Sequence, residues 1–303
     1  MAKPSQRPPV QVNKKTLALK LLVLALPLAI PIALLFEPVY QLLPSQLQEF
    51  LWPDEQTDTP FSEIVEESPP VSTTCEAHKY TTEIVSLDPL VIYINNFTSH
   101  AEAEELIKAG EEDFEDSFIS RTSGLHKVTG RTSQSAPLDL DIPIVQCILS
   151  RARTFLGTSM RPSDTFSIPQ IVRYFPGQKY DLHTDFWPQH QITNDGSNKL
   201  FNRQSSFFVF LRDNCTEGET YFPLVDVLDN DSGFKGKAMR GEKDGVQQGV
   251  KFKPITGNAV FWVNLDGEGV GDRRVVHAGL PVGEGEKIGL NIWPRRYFGK
   301  ADD

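Results

Sequence analysis

The chain has 303 residues, 39% of them hydrophobic, which is enough for one large domain or two smaller ones with a buried core. Its formal net charge of −10 at pH 7 argues against a nucleic-acid partner, because phosphate binding needs a basic surface. Cys75, Cys147 and Cys215 allow one disulfide of undecided pairing and one free thiol, but they lack the spacing of a structural zinc site.

The first predicted element is a membrane-spanning helix. Residues 16–36 form an apolar segment close to the roughly 20 residues that a bilayer requires. Basic residues without any acid precede this segment, and the acidic stretch after it contains no Lys or Arg before Lys79. The positive-inside rule therefore predicts a cytosolic tail at 1–15, a signal-anchor helix and a lumenal remainder, which is the topology of a single-pass type II membrane protein. A cleaved signal peptide is the alternative, but we see no convincing cleavage site.

A stem is expected between this helix and a folded domain. Residues 37–74 are rich in Pro, Glu, Gln, Ser and Thr, a composition typical of linkers. From Cys75 the composition becomes globular, and we expect one domain over residues 75–300. Three Asn-x-Ser/Thr sequons, at Asn96, Asn214 and Asn230, are compatible with a lumenal location.

Helices come first in this domain and strands follow. A strand at 90–97 leads into a helix that Ser99 can cap, and apolar spacing predicts a second helix at 142–157. Beyond Pro162, about seven short segments rich in β-branched and aromatic residues predict strands. We therefore expect a mainly β domain with supporting helices, either a β-sandwich or a jelly roll.

Two polar segments interrupt the predicted strands. Residues 186–204 and 226–250 have no clear strand pattern, and the second is rich in Gly, Lys and Asp. We expect both to be long loops, which on a rigid barrel often cover a functional site.

A metal site is indicated by two separate segments. His183 and Asp185 stand two positions apart on a predicted strand, so their side chains point to one face. A jelly roll brings distant strands together, and His277 lies in a late apolar strand. Two His and one carboxylate leave three coordination positions open, which suits Fe(II) with a bidentate co-substrate and O₂. Catalytic zinc usually keeps one open position.

A buried cation is expected to hold that co-substrate. Lys287 begins the strand after His277, and a lysine that points into a barrel needs an anion as its partner. A molecule of 2-oxoglutarate would satisfy this need, with one end on the iron and its C5 carboxylate on the ammonium. Arg295 is the alternative partner for the carboxylate, and His190 is expected to be solvated and not a fourth ligand.

Five sequence features occur together in a fixed order. They are YFPGQKYDLHTD at 174–185, EGETYFP at 217–223, GNAVFW at 257–262, HAGLPVGEGEK at 277–287, and Trp293. In this combination the chain, from about residue 85 to 297, resembles the prolyl 4-hydroxylase family of Fe(II)/2-oxoglutarate dioxygenases. The resemblance implies a double-stranded β-helix, which is a jelly-roll core.

The resemblance also implies roles for individual residues. It implies that His183, Asp185 and His277 hold Fe(II), and that Lys287 binds the C5 carboxylate of 2-oxoglutarate. The other implied site residues are Tyr174 and Thr220 in the co-substrate pocket, Trp293 beside it, and Tyr180 and Arg203 along the peptide groove.

The chain departs from the family pattern at three places. Ile288 follows Lys287 where the family has Trp, Glu217 replaces the first Gly of a GGET motif, and the segment at 226–250 is long. None of these positions carries an implied iron ligand, so the departures concern the substrate.

The implied reaction is the hydroxylation of peptidyl proline. It converts 2-oxoglutarate and O₂ into succinate and CO₂, with ascorbate as the reductant that restores the iron, and the endoplasmic reticulum is the implied compartment. Two alternatives stay open: an oxygenase that acts on another side chain or a small metabolite, and an inactive module that binds proline-rich peptides. Nothing in the sequence indicates an oligomeric state.

Overall fold

The computed structural model describes residues 75, 78–117, 119–121, 124–126, 130–228, 236–243 and 246–300. The predicted tail, anchor helix and stem at 1–74 lie outside these residues. Within the described part of the chain, no helix is both long enough and apolar enough to cross a membrane.

The described residues up to Leu156 contribute six strands and two α-helices. In chain order they are β1 (Thr81–Leu87), β2 (Leu90–Asn95), α1 (His100–Gly110), β3 (Glu115–Asp116), β4 (Ile119–Arg121), β5 (Gly124–His126), β6 (Gln134–Pro137) and α2 (Pro143–Leu156). The predicted cap of α1 is confirmed, because the Ser99 hydroxyl accepts a hydrogen bond from the Glu102 backbone N–H while the Glu102 carboxylate accepts one from the Ser99 N–H. This reciprocal pair is a capping box.

The rest of the described chain is almost entirely strands. They are β7 (Gln170–Tyr174), β8 (Tyr180–His183), β9 (Gln191–Ile192), β10 (Lys199–Arg203), β11 (Ser205–Glu217), β12 (Thr220–Phe222), β13 (Ala238–Lys243), β14 (Val246–Phe252), β15 (Ala259–Val263), β16 (His277–Gly279), β17 (Val282–Ile292) and β18 (Arg295–Lys300).

Two antiparallel sheets form the centre of the domain. The larger has the strand order β1-β2-β15-β11-β17-β7-β6-β3, and the smaller has the order β13-β14-β12-β16-β8. Four strands of the larger sheet (β7, β11, β15 and β17) and four of the smaller (β8, β12, β14 and β16) are interleaved along the chain. This passage from sheet to sheet is that of a jelly roll, and the predicted mainly β class with supporting helices is confirmed.

Strand β11 separates two hydrophobic cores. Its residues Phe207, Val209 and Leu211 belong to the core that contains the buried faces of α1 and α2. Phe208 and Phe210 point the other way, into the core that the two sheets share. Because side chains alternate along a strand, a stretch that packs into a core on each face is apolar at consecutive positions, as residues 207–211 are. The functional site lies in the space between the sheets.

The two segments expected to be long loops contain strands, so this prediction was wrong. Residues 186–204 include β9 and β10, which pair with each other, and β10 also pairs with β18. Residues 226–250 include β13 and most of β14, a strand of the jelly roll that pairs with β12. In β14 only Val250 and Phe252 are buried apolar residues, so the alternation is too short to recognise.

Candidate metal centre and co-substrate pocket

Strand pairing brings together the three side chains predicted to bind a metal. His183 ends β8 and His277 begins β16, and the two residues lie directly opposite each other in the antiparallel register. Asp185 follows β8, and its Oδ1 lies 3.9 Å from the Nε2 atoms of both histidines. All three residues are buried, and their ligand atoms lie within 4.8 Å of one another. A metal ion bound by these three side chains on one side keeps coordination positions free for further ligands on its other side.

Each imidazole is held so that Nε2 faces the same point. His183 Nδ1 lies 2.8 Å from the carbonyl oxygen of Asp181, and His277 Nδ1 lies 3.1 Å from that of Val275. A carbonyl only accepts, so Nδ1 carries the proton and the lone pair is on Nε2. Burial lowers the pKa of both histidines, and the proximity of His277 lowers that of His183 further. Neutral imidazoles with a free Nε2 fit a metal ion.

Aromatic rings restrict the orientation of both imidazoles. The ring of Tyr180 stacks on that of His183 with centroids 3.6 Å apart. His277 stacks on Phe222, with centroids 5.1 Å apart, and meets the edge of Trp262 at 4.7 Å. Tight packing on these faces leaves the ligands little freedom to rotate.

A cavity of about 530 Å³, partly open to solvent, lies beside the three ligands. Its lining includes all nine site residues predicted from the sequence: Tyr174, Tyr180, His183, Asp185, Arg203, Thr220, His277, Lys287 and Trp293. A concave space with a few charged and hydroxyl groups among aromatic rings is typical of a ligand-binding site.

Lys287 lies at the buried end of the cavity. Its side chain is 1% exposed, and Nζ donates a 2.6 Å hydrogen bond to the backbone carbonyl of Gly218. The rings of Tyr174, Phe208 and Phe210 surround the ammonium, with centroids 5.2 to 5.8 Å away. Burial lowers the pKa of Lys287 to about 8. An ammonium in such a place is stabilised by an anion.

Two hydroxyl groups adjoin this lysine. Tyr174 lies directly across from Lys287 in the β7–β17 register, and its buried phenol hydrogen-bonds to Ser133. The buried Thr220 Oγ1 has no hydrogen-bond partner among the described residues. A buried hydroxyl without a partner costs free energy unless a ligand supplies one. The ammonium of Lys287 and the unpaired hydroxyl of Thr220 are suited to binding a carboxylate group of a ligand.

Arg203 is buried between two indole rings. Its guanidinium lies 3.6 Å from the Trp293 ring centroid and 4.5 Å from that of Trp187, and it donates a 3.3 Å hydrogen bond to the Asp185 backbone carbonyl. Burial lowers its pKa to about 9. The family resemblance implies that Arg203 lies along a peptide groove, and the structure puts it on the cavity wall next to Asp185.

Sequence reasoning missed Arg131, which also lines the cavity. Its side chain is buried, donates a 2.9 Å hydrogen bond to the Gln170 amide oxygen, and lies over the Tyr180 ring at 4.7 Å. Arg131 stands in a polar stretch without periodic apolar residues, so no local pattern signals its burial.

Two other residues considered from the sequence lie away from the cavity. Arg295, the alternative partner for the carboxylate, donates to Ser167 Oγ and lies over the Phe201 ring, and it is not a cavity-lining residue. That alternative was therefore wrong. His190, expected to be solvated, is half-buried, stacks on Phe298 with centroids 3.9 Å apart, and does not line the cavity.

Comparisons with known proteins identify the family of the chain. A family model described as the 2OG-Fe(II) oxygenase superfamily matches residues 169–295. Prolyl 4-hydroxylase 1 of Arabidopsis thaliana is 30% identical over 219 residues, 71% of each chain. Prolyl 4-hydroxylase 2 of the same plant is 27% identical over 216 residues, 69% of this chain and 68% of its own. A solved viral collagen prolyl hydroxylase from Paramecium Bursaria Chlorella virus-1, in complex with 2OG, is 24% identical with a TM-score of 0.47, over 73% of this chain and 98% of its own.

Proposed function

Because the chain belongs to the prolyl 4-hydroxylase family of 2OG-Fe(II) oxygenases, we propose that it hydroxylates proline residues in peptide chains. Members of this family are 2-oxoglutarate-dependent dioxygenases that use Fe(II), 2-oxoglutarate and O₂. The observation that carries the proposal is a metal-ligand triad next to a buried ammonium, with both facing one cavity.

The triad is assigned the Fe(II) site. His183 and His277 contribute Nε2, and Asp185 contributes Oδ1, the oxygen that faces both imidazoles. When bound, the iron supplies the redox chemistry, in which O₂ and 2-oxoglutarate yield succinate, CO₂ and a hydroxylated substrate. The protein contributes two neutral imidazoles and one carboxylate in a restricted geometry, and a cavity with limited access to water.

The far end of the cavity is assigned the C5 carboxylate of 2-oxoglutarate. Lys287 supplies the charge, and the unpaired Thr220 hydroxyl supplies a donor. The phenol of Tyr174 borders the same space. A charged donor and a hydroxyl together recognise a carboxylate more selectively than a single charge does.

The open side of the cavity is assigned the peptide. Half-buried Tyr180 lies between the Arg131 guanidinium and His183, so its ring connects the cavity wall to the metal ligands. Trp293 and Arg203 form a flat, stacked wall on the cavity. Aromatic rings and guanidinium donors are suited to extended, proline-rich chains, which lack many backbone N–H groups but keep their carbonyls.

For the location, the proposal is a single-pass type II membrane protein of the endoplasmic reticulum, anchored by residues 16–36. The charge asymmetry around that segment supports this orientation. So does a disulfide between Cys75 and Cys147, because disulfides persist in oxidising compartments. Protection of the domain from protease in sealed microsomes tests it, and digestion without detergent would contradict it.

The enzymatic proposal is tested by measuring succinate release. The purified protein is incubated with Fe(II), 2-oxoglutarate and ascorbate, with and without a proline-rich peptide, beside His183→Ala and the control His190→Ala. We expect peptide-stimulated turnover, one added oxygen on proline, loss with His183→Ala and retention with His190→Ala. Turnover that needs His183 but ignores the peptide would indicate an oxygenase of another substrate. Bound iron without turnover would indicate a peptide-binding module.

A further inference from the structure

The two carboxylate oxygens of Asp185 have different surroundings. Oδ1 lies 3.9 Å from His183 Nε2 and from His277 Nε2. Oδ2 points away from them and accepts a 2.6 Å hydrogen bond from the hydroxyl of Ser206. Both residues of this hydrogen bond are buried, Ser206 to 1% exposure and Asp185 to 5%. A short hydrogen bond to a carboxylate in such a place is strong.

The hydroxyl of Ser206 has a second partner that sets the direction of its proton. The side-chain amide of Asn264 donates to Ser206 Oγ over 2.9 Å. An amide NH₂ group only donates, so it occupies a lone pair of the hydroxyl. The one hydroxyl proton is then directed to Asp185. With the amide reversed, its oxygen would take that proton and Asp185 Oδ2 would face a lone pair.

The structure holds the backbone of Asn264 in place. Its side chain is fully buried, its backbone N–H donates to the carbonyl of Gln204 at 2.9 Å, and its own carbonyl accepts from the Asp272 N–H at 2.8 Å. Ser206 pairs with Trp262 in the β11–β15 register, so Asn264, two residues further on, lies diagonally across from it on the same face.

We propose that Ser206 and Asn264 are positioning residues for the iron site, and that their hydrogen-bond chain restricts Asp185 to a single ligating oxygen. Oδ2 is engaged by Ser206 and is not available to the ion. The carboxylate therefore occupies one coordination position, and the positions required by a chelating co-substrate and O₂ stay open. Without these hydrogen bonds, the Asp185 carboxylate can rotate about its terminal bond, a torsion with a broad energy minimum.

The test is the dissociation constant of Fe(II), measured by equilibrium dialysis of the purified protein under nitrogen. It needs neither peptide nor turnover, so its result does not depend on the proposed substrate. Ser206→Ala is expected to raise the dissociation constant about 10- to 100-fold, the usual effect of removing a hydrogen bond to a metal ligand. Ser206→Thr retains the hydroxyl and is expected to restore binding to near the wild-type value.

The neighbouring serine provides a matched control. Ser205 is on the same strand, is also buried, and its hydroxyl has no hydrogen-bond partner within the described residues. Ser205→Ala is expected to leave the dissociation constant within about twofold of wild type, because it removes a hydroxyl that touches no ligand. Equal effects of Ser205→Ala and Ser206→Ala would overturn the proposal, as would failure of Ser206→Thr to restore binding.

A double-mutant comparison distinguishes an effect that acts through the hydrogen-bond chain from a general loss of stability. Asn264→Ala alone is expected to weaken Fe(II) binding, because Ser206 loses the partner that directs its proton. In a Ser206→Ala background the same change is expected to have no further effect on the dissociation constant. Additive effects would show that Asn264 acts independently of Ser206 and would contradict the proposed hydrogen-bond chain. Circular dichroism of each variant establishes that folded protein is compared.

Discussion

Lys287 Nζ lies 2.6 Å from the carbonyl oxygen of Gly218, so the buried ammonium has a neutral backbone partner. Gly218 adopts a φ of +77°, a left-handed conformation that favours glycine. A neutral carbonyl compensates an ammonium less well than a carboxylate does. The lysine is therefore ready to bind an anion, and four predictions concern this end of the cavity and the parts of the chain that support it.

Thr220→Val is expected to change stability and binding in opposite directions. Valine has nearly the shape of threonine and removes a buried hydroxyl without a partner among the described residues, so the free energy of unfolding should rise by about 1 kcal/mol. Binding of 2-oxoglutarate should weaken by about 10- to 100-fold, the value of one hydrogen bond to a charged carboxylate. Urea unfolding and calorimetric titration measure the two effects.

Thr98 offers the matched control for this change. Thr98 is also fully buried, its Oγ1 also lacks a partner in the described structure, and it does not line the cavity. Thr98→Val should therefore stabilise the fold and leave 2-oxoglutarate binding unchanged. If both variants weaken binding equally, the Thr220 hydroxyl does not contact the co-substrate.

Binding of 2-oxoglutarate is expected to weaken at alkaline pH, because Lys287 loses its proton. Burial lowers its pKa to about 8 in the free protein, and a bound carboxylate favours the charged form and raises it. Affinity should be constant below pH 8 and should fall by up to about tenfold per pH unit above it, until the pKa of the complex is reached. Lys287→Arg should bind more weakly, and its affinity should begin to fall at a higher pH than that of the wild type, because arginine has a higher pKa than lysine. A flat wild-type profile from pH 7 to 9.5 would argue against the assignment.

Glu217→Gly is expected to stabilise the protein. Glu217 has a φ of +61°, a conformation that costs a non-glycine residue about 1–2 kcal/mol, while glycine loses about 0.5–1 kcal/mol more backbone entropy on folding. The net gain in unfolding free energy is about 0.5–1 kcal/mol, measurable by urea unfolding. Glu219→Gly, two residues on and without a positive φ, should instead destabilise the fold. Destabilisation by both changes would show that Glu217 is not strained.

The disulfide determines which cysteine thiol an alkylating reagent can modify. Cys75 and Cys147 are joined, and Cys215 is free and half-buried. Alkylation of the unreduced, denatured protein should therefore modify Cys215 alone, as peptide mass analysis would show. Cys147→Ser should lower the free energy of unfolding by about 2–4 kcal/mol, because the disulfide limits the unfolded chain, whereas Cys215→Ser should have little effect. A label on Cys75 in the unreduced wild type would exclude this pairing.

Some of the fold could be predicted because the signals are local. The capping box at Ser99 and Glu102, the apolar spacing of α2 and the apolar strand β11 all lie within a few consecutive residues. The failures have a non-local cause. β10 and β14 contain several polar residues, of which Asn202 and Arg203 in β10 are buried, and the two segments are strands because β18 and β12 pair with them.

The sequence by itself predicted the chemistry: a His-x-Asp pair, a later His and a Lys in apolar surroundings are the predicted metal ligands and co-substrate partner. The tertiary structure alone decided how these groups meet and what surrounds them. His277 lies opposite His183 because β16 pairs with β8. The burial of Arg131 and the chain from Asn264 to Asp185 depend on the same closure of the sheets. Side-chain type and local spacing are written in neighbouring residues, whereas contacts across strands depend on register, which is set by the packing of the whole domain.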